Sequence, residues 1–377
     1  MLSLPVYLDY NATTPCDPRV VDTMLPFFTR QFGNAASTTH AFGWQAAEAV
    51  QVSREQVALL INAEPGEIHF TSGATESVNL AIKGVFSMYA GKGNHIITAA
   101  TEHKAVLDTC KALERTGAHI TYLPVNSEGL INTKELEAAI RHDTILIAIM
   151  YANNETGVLQ PIREIGAIAK RHNTIFFSDA TQAVGKIPVD VIKDDIDLLS
   201  LSAHKFYGPK GVGAIYVRRK SPRVKLTPQL DGGGHEKGIR SGTLNVPGIA
   251  GLGKAASIAL AEMDADALRI SQLRDHLETT LLQSANVQRN GSLQHRLPNT
   301  SNLSFINTNS GTLMRTFSKD LAVSSGSACT SALMEPSYVL KAMGLSDELA
   351  YGSIRFSLGR FTTPEEINYV IEKLKNI

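Results

Sequence analysis

The sequence predicts an α/β protein built on a mostly parallel sheet covered by helices, with a smaller α+β domain attached. Three observations carry this prediction. From about residue 69 to residue 217, short and nearly continuous apolar runs alternate with stretches of helical period, the pattern of strands buried on both faces by crossover helices. Polar residues gather just after those runs, and ligands in such sheets bind outside the carboxyl ends of the strands. Beyond about residue 250 the period changes, first to one long helical stretch over residues 251–282 and then to shorter strands and helices. The expected division is a large α/β domain over residues 15–250 and a small α+β domain over residues 1–14 and 251–377.

The elements follow in order. Residues 7–15 read as a short strand ending in turn formers, and residues 32–37 as a small-residue loop before a helix over 43–61. Strands are expected at 69–71, 95–98, 120–125, 144–150, 174–178, 197–202 and 213–217. Helices are expected at 72–83, 105–115, 133–141 and 162–170. The later segments are 301–306, 312–317, 353–358 and 364–375. No internal repeat and no low-complexity tract interrupts this order.

Bulk properties exclude several classes. The 377 residues are 43% hydrophobic, enough for more than one compact unit. Thirty-six basic residues balance 36 acidic ones, which argues against a nucleic-acid partner or a basic membrane-binding face. No apolar run reaches membrane-spanning length, and the first residues lack the basic region of a signal peptide. Cys16, Cys110 and Cys329 are widely spaced and odd in number, so neither a disulfide framework nor a cysteine metal site is expected. The expectation is a soluble cytoplasmic protein with no metal.

Several residues stand where chemistry needs them. Lys205 follows the 197–202 strand in a short polar turn; it is either a solvated strand-end lysine or an amine held to form a Schiff base, with Ser202 and His204 beside it as phosphate ligands. Ser72-Gly73-Ala74-Thr75-Glu76 opens a helix, as an ordinary N-cap or as an anion cup to which Thr75 adds a donor. Asp179 ends an apolar strand, where it either caps the next segment or pairs with a cation or a ring N–H. An acid on a pyridinium nitrogen one strand before a Schiff-base lysine is what pyridoxal phosphate requires. His103 opens a helix and is either a capping residue or a group lying over a cofactor ring. Asn154 and Arg355 suit a carboxylate, from substrate or from another side chain. Cys329 lies in the small-residue run Ser324–Ser331, which is expected to form an accessible loop presenting a nucleophile. Cys110, on a regular helix, is expected to be packed.

Together these motifs resemble the cysteine desulfurases of the iron–sulfur-cluster type, within the class V aminotransferase-like group of fold-type-I pyridoxal phosphate enzymes. The resemblance spans essentially the whole chain. It is carried by Leu8–Pro15, Phe70–Ser77, Thr101–Lys104, Asn153–Gly157, Asp179–Gln182, the Lys205 stretch, Gly232–Glu236, Arg240–Thr243 and Ser325–Cys329. It implies a sheet of the seven-stranded type and a homodimer. Lys205 would hold the cofactor, Asp179 its ring nitrogen and Gln182 its phenolic oxygen, with His103 stacked on the ring. Thr75, Ser202 and His204 would hold the phosphate, with Thr243 reaching in from the second subunit. Asn154 and Arg355 would bind the carboxylate of L-cysteine, and Cys329 would take its sulfur for iron–sulfur assembly or tRNA thiolation. An iron–sulfur scaffold or another sulfur acceptor would be the partner.

Three departures from the family pattern stand out: Ala35 in place of proline, Asn309–Thr312 at a helix start, and an end at Ile377 where longer relatives continue into a scaffold-docking segment. The competing readings are a selenocysteine lyase or another class V enzyme, which would not need the Cys329 thiol, and a catalytically silent scaffold, which would have no reason to retain Lys205, Asp179, His103 and Cys329.

Overall fold

The computed structural model describes residues 2–325 and 335–375. A two-residue strand, β1 (Val6–Tyr7), opens the chain. Seven strands then build the main sheet: β2 (Ile68–Thr71), β3 (His95–Ala99), β4 (His119–Leu123), β5 (Thr144–Ala148), β6 (Ile175–Asp179), β7 (Leu198–Ser202) and β8 (Gly213–Val217). Their order in space is β2-β8-β7-β6-β5-β3-β4. Every pair is parallel except those made by β8, which runs antiparallel to β2 and to β7. The connector from β7 to β8, residues 203–212, carries only the single turn Ala203–Lys205. That is too short for a parallel crossover, so the chain reverses and brings β8 back alongside β7.

Consecutive residues of the central strands enter different cores, as the two-residue period requires. Ile97, Ile147, Phe176 and Leu199 belong to the cluster on one face of the sheet. Ile96, Leu146, Phe177 and Leu198 belong to the cluster on the other. The expected strands at 120–125 and 144–150 end two residues early, at Leu123 and Ala148. Beyond Ala148 the chain still bonds to its neighbour, with Ile149 N donating to Phe177 O and Tyr151 N to Asp179 O, while it bends toward the site.

The long helix Val246–Leu281 begins five residues before the expected 251. Asn245 caps it through Gly248 N and a proline sits in its first turn, both helix-start signals. Gly253 lets this helix lie against helix Ala41–Leu60; a Cβ there would stand 2.6 Å from the Ser53 Cα. Its first half joins the core of the main sheet and its second half, through Ile270, Leu277 and Leu281, joins a separate apolar cluster. That second cluster lies against the antiparallel sheet of β9 (Val287–Asn290), β10 (Thr300–Phe305), β12 (Ser324–Ser325) and β13 (Ser353–Ser357), ordered β12-β13-β10-β9. Strand β11 (Leu321–Ala322) pairs in parallel with β1. Residues 312–316 fall in helix Ser310–Thr316, capped by Asn309, and Phe317 is its C-cap, so the family departure at that start still gives a capped helix. Strand β9 and helices Tyr338–Ala342 and Asp347–Tyr351 carried no expectation from the sequence.

One buried ion pair secures β2, whose end opens the site. Glu236 is 7% exposed, receives Phe70 N at 2.8 Å, and is held by both terminal nitrogens of Arg54 at 2.8 Å. Arg54→Met will strand that carboxylate and lower unfolding free energy by about 3 kcal/mol, the scale for losing one partner of a buried pair. Denaturant midpoints of the two proteins check this, and an unchanged midpoint would show that Glu236 does not depend on Arg54.

Candidate active site

The carboxyl ends of the parallel strands and the β2 and β7 turns surround a cleft of about 560 Å³. Thr75, His103, Asn154, Asp179, Gln182, Ser202, His204, Lys205 and Arg355 all line it, together with Asn11, Ala12, Met150 and Lys210. Thr243 does not; it is exposed elsewhere on the chain's surface. Cys329 lies outside the described residues. Cys110 is buried in a core cluster as expected, and burial pushes its thiol up to about 12.

Lys205 sits in the turn after β7, where the chain reversal points it back over the sheet. Its Nζ donates to two backbone carbonyls, Asn11 O at 2.6 Å and Ala12 O at 2.8 Å. Burial, reinforced by the Arg355 charge and opposed by Asp179 and Asp9, lowers this amine to about 8.

Asp179 ends β6 and is buried. Its Oδ1 accepts from Ser200 Oγ at 2.9 Å and from the backbone and hydroxyl of Thr181. Among the described residues no group donates to Oδ2, so the carboxylate is oriented on one side and open on the other. Gln182 donates through Nε2 to Asn11 O at 2.9 Å. Of the two readings of Asp179 from sequence, the capping one is seen in its bonds to Thr181, and the residue also lines the cleft.

The phosphate end is a cradle of small groups. Helix Ala74–Met88 starts here with unpaired first-turn N–H groups, and its N-cap, Gly73, supplies no side-chain bond. Gly73 has φ +152°, and a Cβ on it would stand 3.6 Å from Ser202 Oγ, within the cradle. Burial, with the charges of Lys205, Lys210 and Lys186, lowers His204 to about 4, so its ring is neutral at physiological pH. Its Nδ1 lies 3.1 Å from Thr13 Oγ1; where that hydroxyl donates, Nε2 carries the proton and can donate to an anion. The donor set fits a phosphate monoester.

At the opposite end, His103 caps helix Lys104–Glu114, its Nδ1 accepting from Ala105 N at 3.1 Å. The capping role read from sequence is therefore real, and the ring still faces the cleft. Arg355 on β13 does find a side-chain carboxylate: its Nη2 bonds Asp9 Oδ1 at 2.6 Å, while Nη1 bonds the Asn154 carbonyl at 3.0 Å. Two buried polar atoms here, Arg355 Nε and Asn154 Oδ1, have no partner among the described residues. A ligand bearing a carboxylate and an amine would meet complementary groups at this end.

Sequence reasoning assigned no role to Asn11, Glu102 or Lys186. Asn11 lies inside the Leu8–Pro15 motif, and it acts through both its side chain and its backbone, whose carbonyl accepts from Lys205 and Gln182. Glu102 is fully buried beneath the cleft, where its Oε1 accepts from Met150 N at 2.6 Å. Burial raises its carboxyl well above the usual range.

Comparison with known proteins places these residues in context. The aminotransferase class-V profile matches residues 6–370. The chain is 57% identical to cysteine desulfurase IscS of Anaeromyxobacter dehalogenans strain 2CP-C over 371 residues, covering 98% of this chain and 91% of that protein. It is 57% identical to cysteine desulfurase IscS of Proteus mirabilis strain HI4320 over 375 residues, covering 99% and 92%. Among solved structures, a NifS-like protein superposes with a TM-score of 0.92 at 40% identity, covering 99% of this chain and 98% of that one. A structure of SspA in complex with cysteine matches at a TM-score of 0.83 and 38% identity, covering 95% and 99%.

The Lys205 amine makes a testable prediction. In cofactor-free protein its acylation rate, followed by peptide mass spectrometry, will rise through a midpoint near pH 8, whereas surface lysines climb until about 10.4. Because the folded value lies below the unfolded one, the unfolded chain binds more protons between these limits, and Lys205 adds stability as pH rises through that window. A Lys205 midpoint matching surface lysines would contradict the burial of this amine.

Proposed function

The chain belongs to the aminotransferase class-V family, and from that premise we propose a pyridoxal-phosphate-dependent cysteine desulfurase. It converts L-cysteine to L-alanine and passes the sulfur onward as a persulfide on Cys329. The observation that carries this reading is the convergence, in one cleft, of a low-pKa Lys205 amine and the open oxygen of Asp179.

The residues divide the work as follows. Lys205 would anchor the cofactor through its amine, Asp179 would meet the ring nitrogen, and Gln182 would meet the phenolic oxygen. His103 would serve the ring, and the helix start at Thr75 with Ser202 and His204 would hold the phosphate. When bound, pyridoxal phosphate supplies an electron sink for the pair left at the substrate's α-carbon as its proton departs. Lys205 moves that proton: an amine titrating near 8 can take it and return it at neutral pH. The carbonyls of Asn11 and Ala12 accept from the ammonium while it is loaded. Asn154 and Arg355 hold the substrate carboxylate, which competes with Asp9 for the guanidinium. The Cys329 thiolate would attack the substrate's sulfur; an S–S bond forms and the C–S bond breaks, its electron pair passing to the carbon side, where the β-carbon gains a proton before alanine leaves. His103 is the candidate acceptor of the Cys329 proton.

The enzyme acts as a homodimer in this reading. Phe28, Phe32, Phe42 and Trp44 are each at least 49% exposed, and the Phe32 and Phe42 rings lie 5.3 Å apart, a patch suited to burial against a second copy. Thr243, exposed and away from its own chain's cleft, then serves the phosphate site of the second subunit. The chain divides into a large domain of residues 15–250 and a small one of residues 1–14 and 251–377, supported by the separate apolar cluster behind β9–β13. The sulfur goes to an iron–sulfur scaffold or another acceptor protein, in the cytoplasm. No helix among the described residues is long and apolar enough to cross a membrane.

The test is an assay of alanine and sulfide from L-cysteine with pyridoxal phosphate and a thiol reductant. Lys205→Ala and Cys329→Ala will each lose about a thousandfold or more in turnover. Cys329→Ala will keep the visible absorbance of bound cofactor, and Lys205→Ala will lose its lysine-linked form. Wild-type protein that makes no alanine would refute the reading; full sulfide release by Cys329→Ala would refute the persulfide step.

A further inference from the structure

Beneath the cleft lies a second amine that this chemistry does not use. Lys186 follows Gln182 by one helical-type turn, and its Nζ donates to Gln182 Oε1 at 2.7 Å and to Asn11 Oδ1 at 3.1 Å. It does not line the cleft. The charged and titratable groups around it are Lys205, Arg355 and His204 on the cleft side, and Tyr10, Tyr207 and Asp266 around a small cavity on the other. Burial and the Lys205 charge both lower its own pKa well below the ordinary lysine range. A half-buried amine beside two other cations carries a cost, and the geometry shows what it secures.

A side-chain amide has two ends that differ chemically, and rotating it by half a turn exchanges them. Gln182 has each end fixed by a different group. Its Nε2 faces Asn11 O, a carbonyl that can only accept. Its Oε1 faces Lys186, which donates there and to Asn11 Oδ1. The orientation of Asn11 is fixed in turn, since its Nδ2 donates to Asn154 O and Thr300 Oγ1 while Oδ1 also receives Asn299 Nδ2. With Oε1 committed to Lys186 and one Nε2 hydrogen to Asn11, one N–H of Gln182 remains for the cleft.

We propose that Lys186 is a positioning residue that holds the Gln182 amide with its remaining N–H directed at the cofactor's phenolic oxygen. The inference rests on the cofactor reading above. Donation to that oxygen stabilises its anionic form and so sets the pH at which the visible absorbance of the holoenzyme changes. Without Lys186 the amide is free to turn, and the donor is lost for part of the time.

The experiment is a spectral pH titration of holoenzyme, with no turnover involved. Lys186→Met removes the donor to Gln182 Oε1, and Lys186→Gln replaces the amine with an amide on a side chain one bond shorter; each will move the midpoint upward by about one pH unit, the scale of one charge-assisted hydrogen bond. The polar Gln variant serves if the Met variant does not fold. Gln182→Ala will move the midpoint in the same direction. In the Gln182→Ala background, Lys186→Met will add no further shift, because its effect passes through the amide. A Lys186 shift that persists undiminished in that background would overturn the proposal in favour of a direct charge effect, and no shift in either Lys186 variant would overturn it outright. Wild-type protein that shows no visible cofactor absorbance would instead remove the cofactor reading on which it rests.

Discussion

Asn11 is the residue on which the site's geometry depends. The N-terminal segment passes between the main sheet and the small antiparallel sheet, and Asn11 bonds to both. Its backbone N–H donates to Ser357 on β13, and its side chain reaches Thr300 on β10 and the Asn154 carbonyl after β5. Its own carbonyl accepts from Lys205 and Gln182, which belong to the turns after β7 and β6. Such a network is worth having only when every member is satisfied, because a half-paired buried amide costs more than an apolar one. One asparagine therefore ties the Lys205 amine to the strand that carries Arg355.

The electrostatics of the cleft follow from that closeness. Lys205, Lys186 and Arg355 share one region; burial with the Arg355 charge lowers Lys205, and burial with the Lys205 and Arg355 charges lowers Lys186. Asp9 and Asp179 offset them without neutralising the lysine amine fully. The result is an amine that can exchange protons near neutral pH beside a guanidinium paired with Asp9. Glu102, whose carboxyl complete burial raises well above the usual range, accepts a bond from Met150 N below the cleft. The neutral His204 ring likewise contributes a donor without a further cation.

Much of this was legible in the sequence because the relevant signals are local. Strand-end residues such as Asp179 and Lys205 stand out against apolar runs, and glycine with hydroxyls before a helix marks the anion cradle. Strand positions agree within a residue or two, since burial on both faces leaves a continuous apolar run. The reversal of β8 was less visible: it depends on connector length rather than on composition. Lys186, Glu102 and the backbone of Asn11 were not legible at all. A carbonyl acceptor carries no residue-type signature, and a buried lysine or glutamate looks like a surface residue until the tertiary contacts are known. Arg355 shows the intermediate case, where sequence called for a carboxylate and only the structure identified Asp9.

The account's central claim is that sulfur leaves the substrate for Cys329 in a cleft run by Lys205. The most direct measurement is mass spectrometry of the Cys329 peptide after a single exposure of holoenzyme to L-cysteine without reductant. The account predicts one added sulfur atom on Cys329, removable by a thiol reductant, with an equal amount of alanine formed. Alanine formed in full with Cys329 unmodified would contradict it.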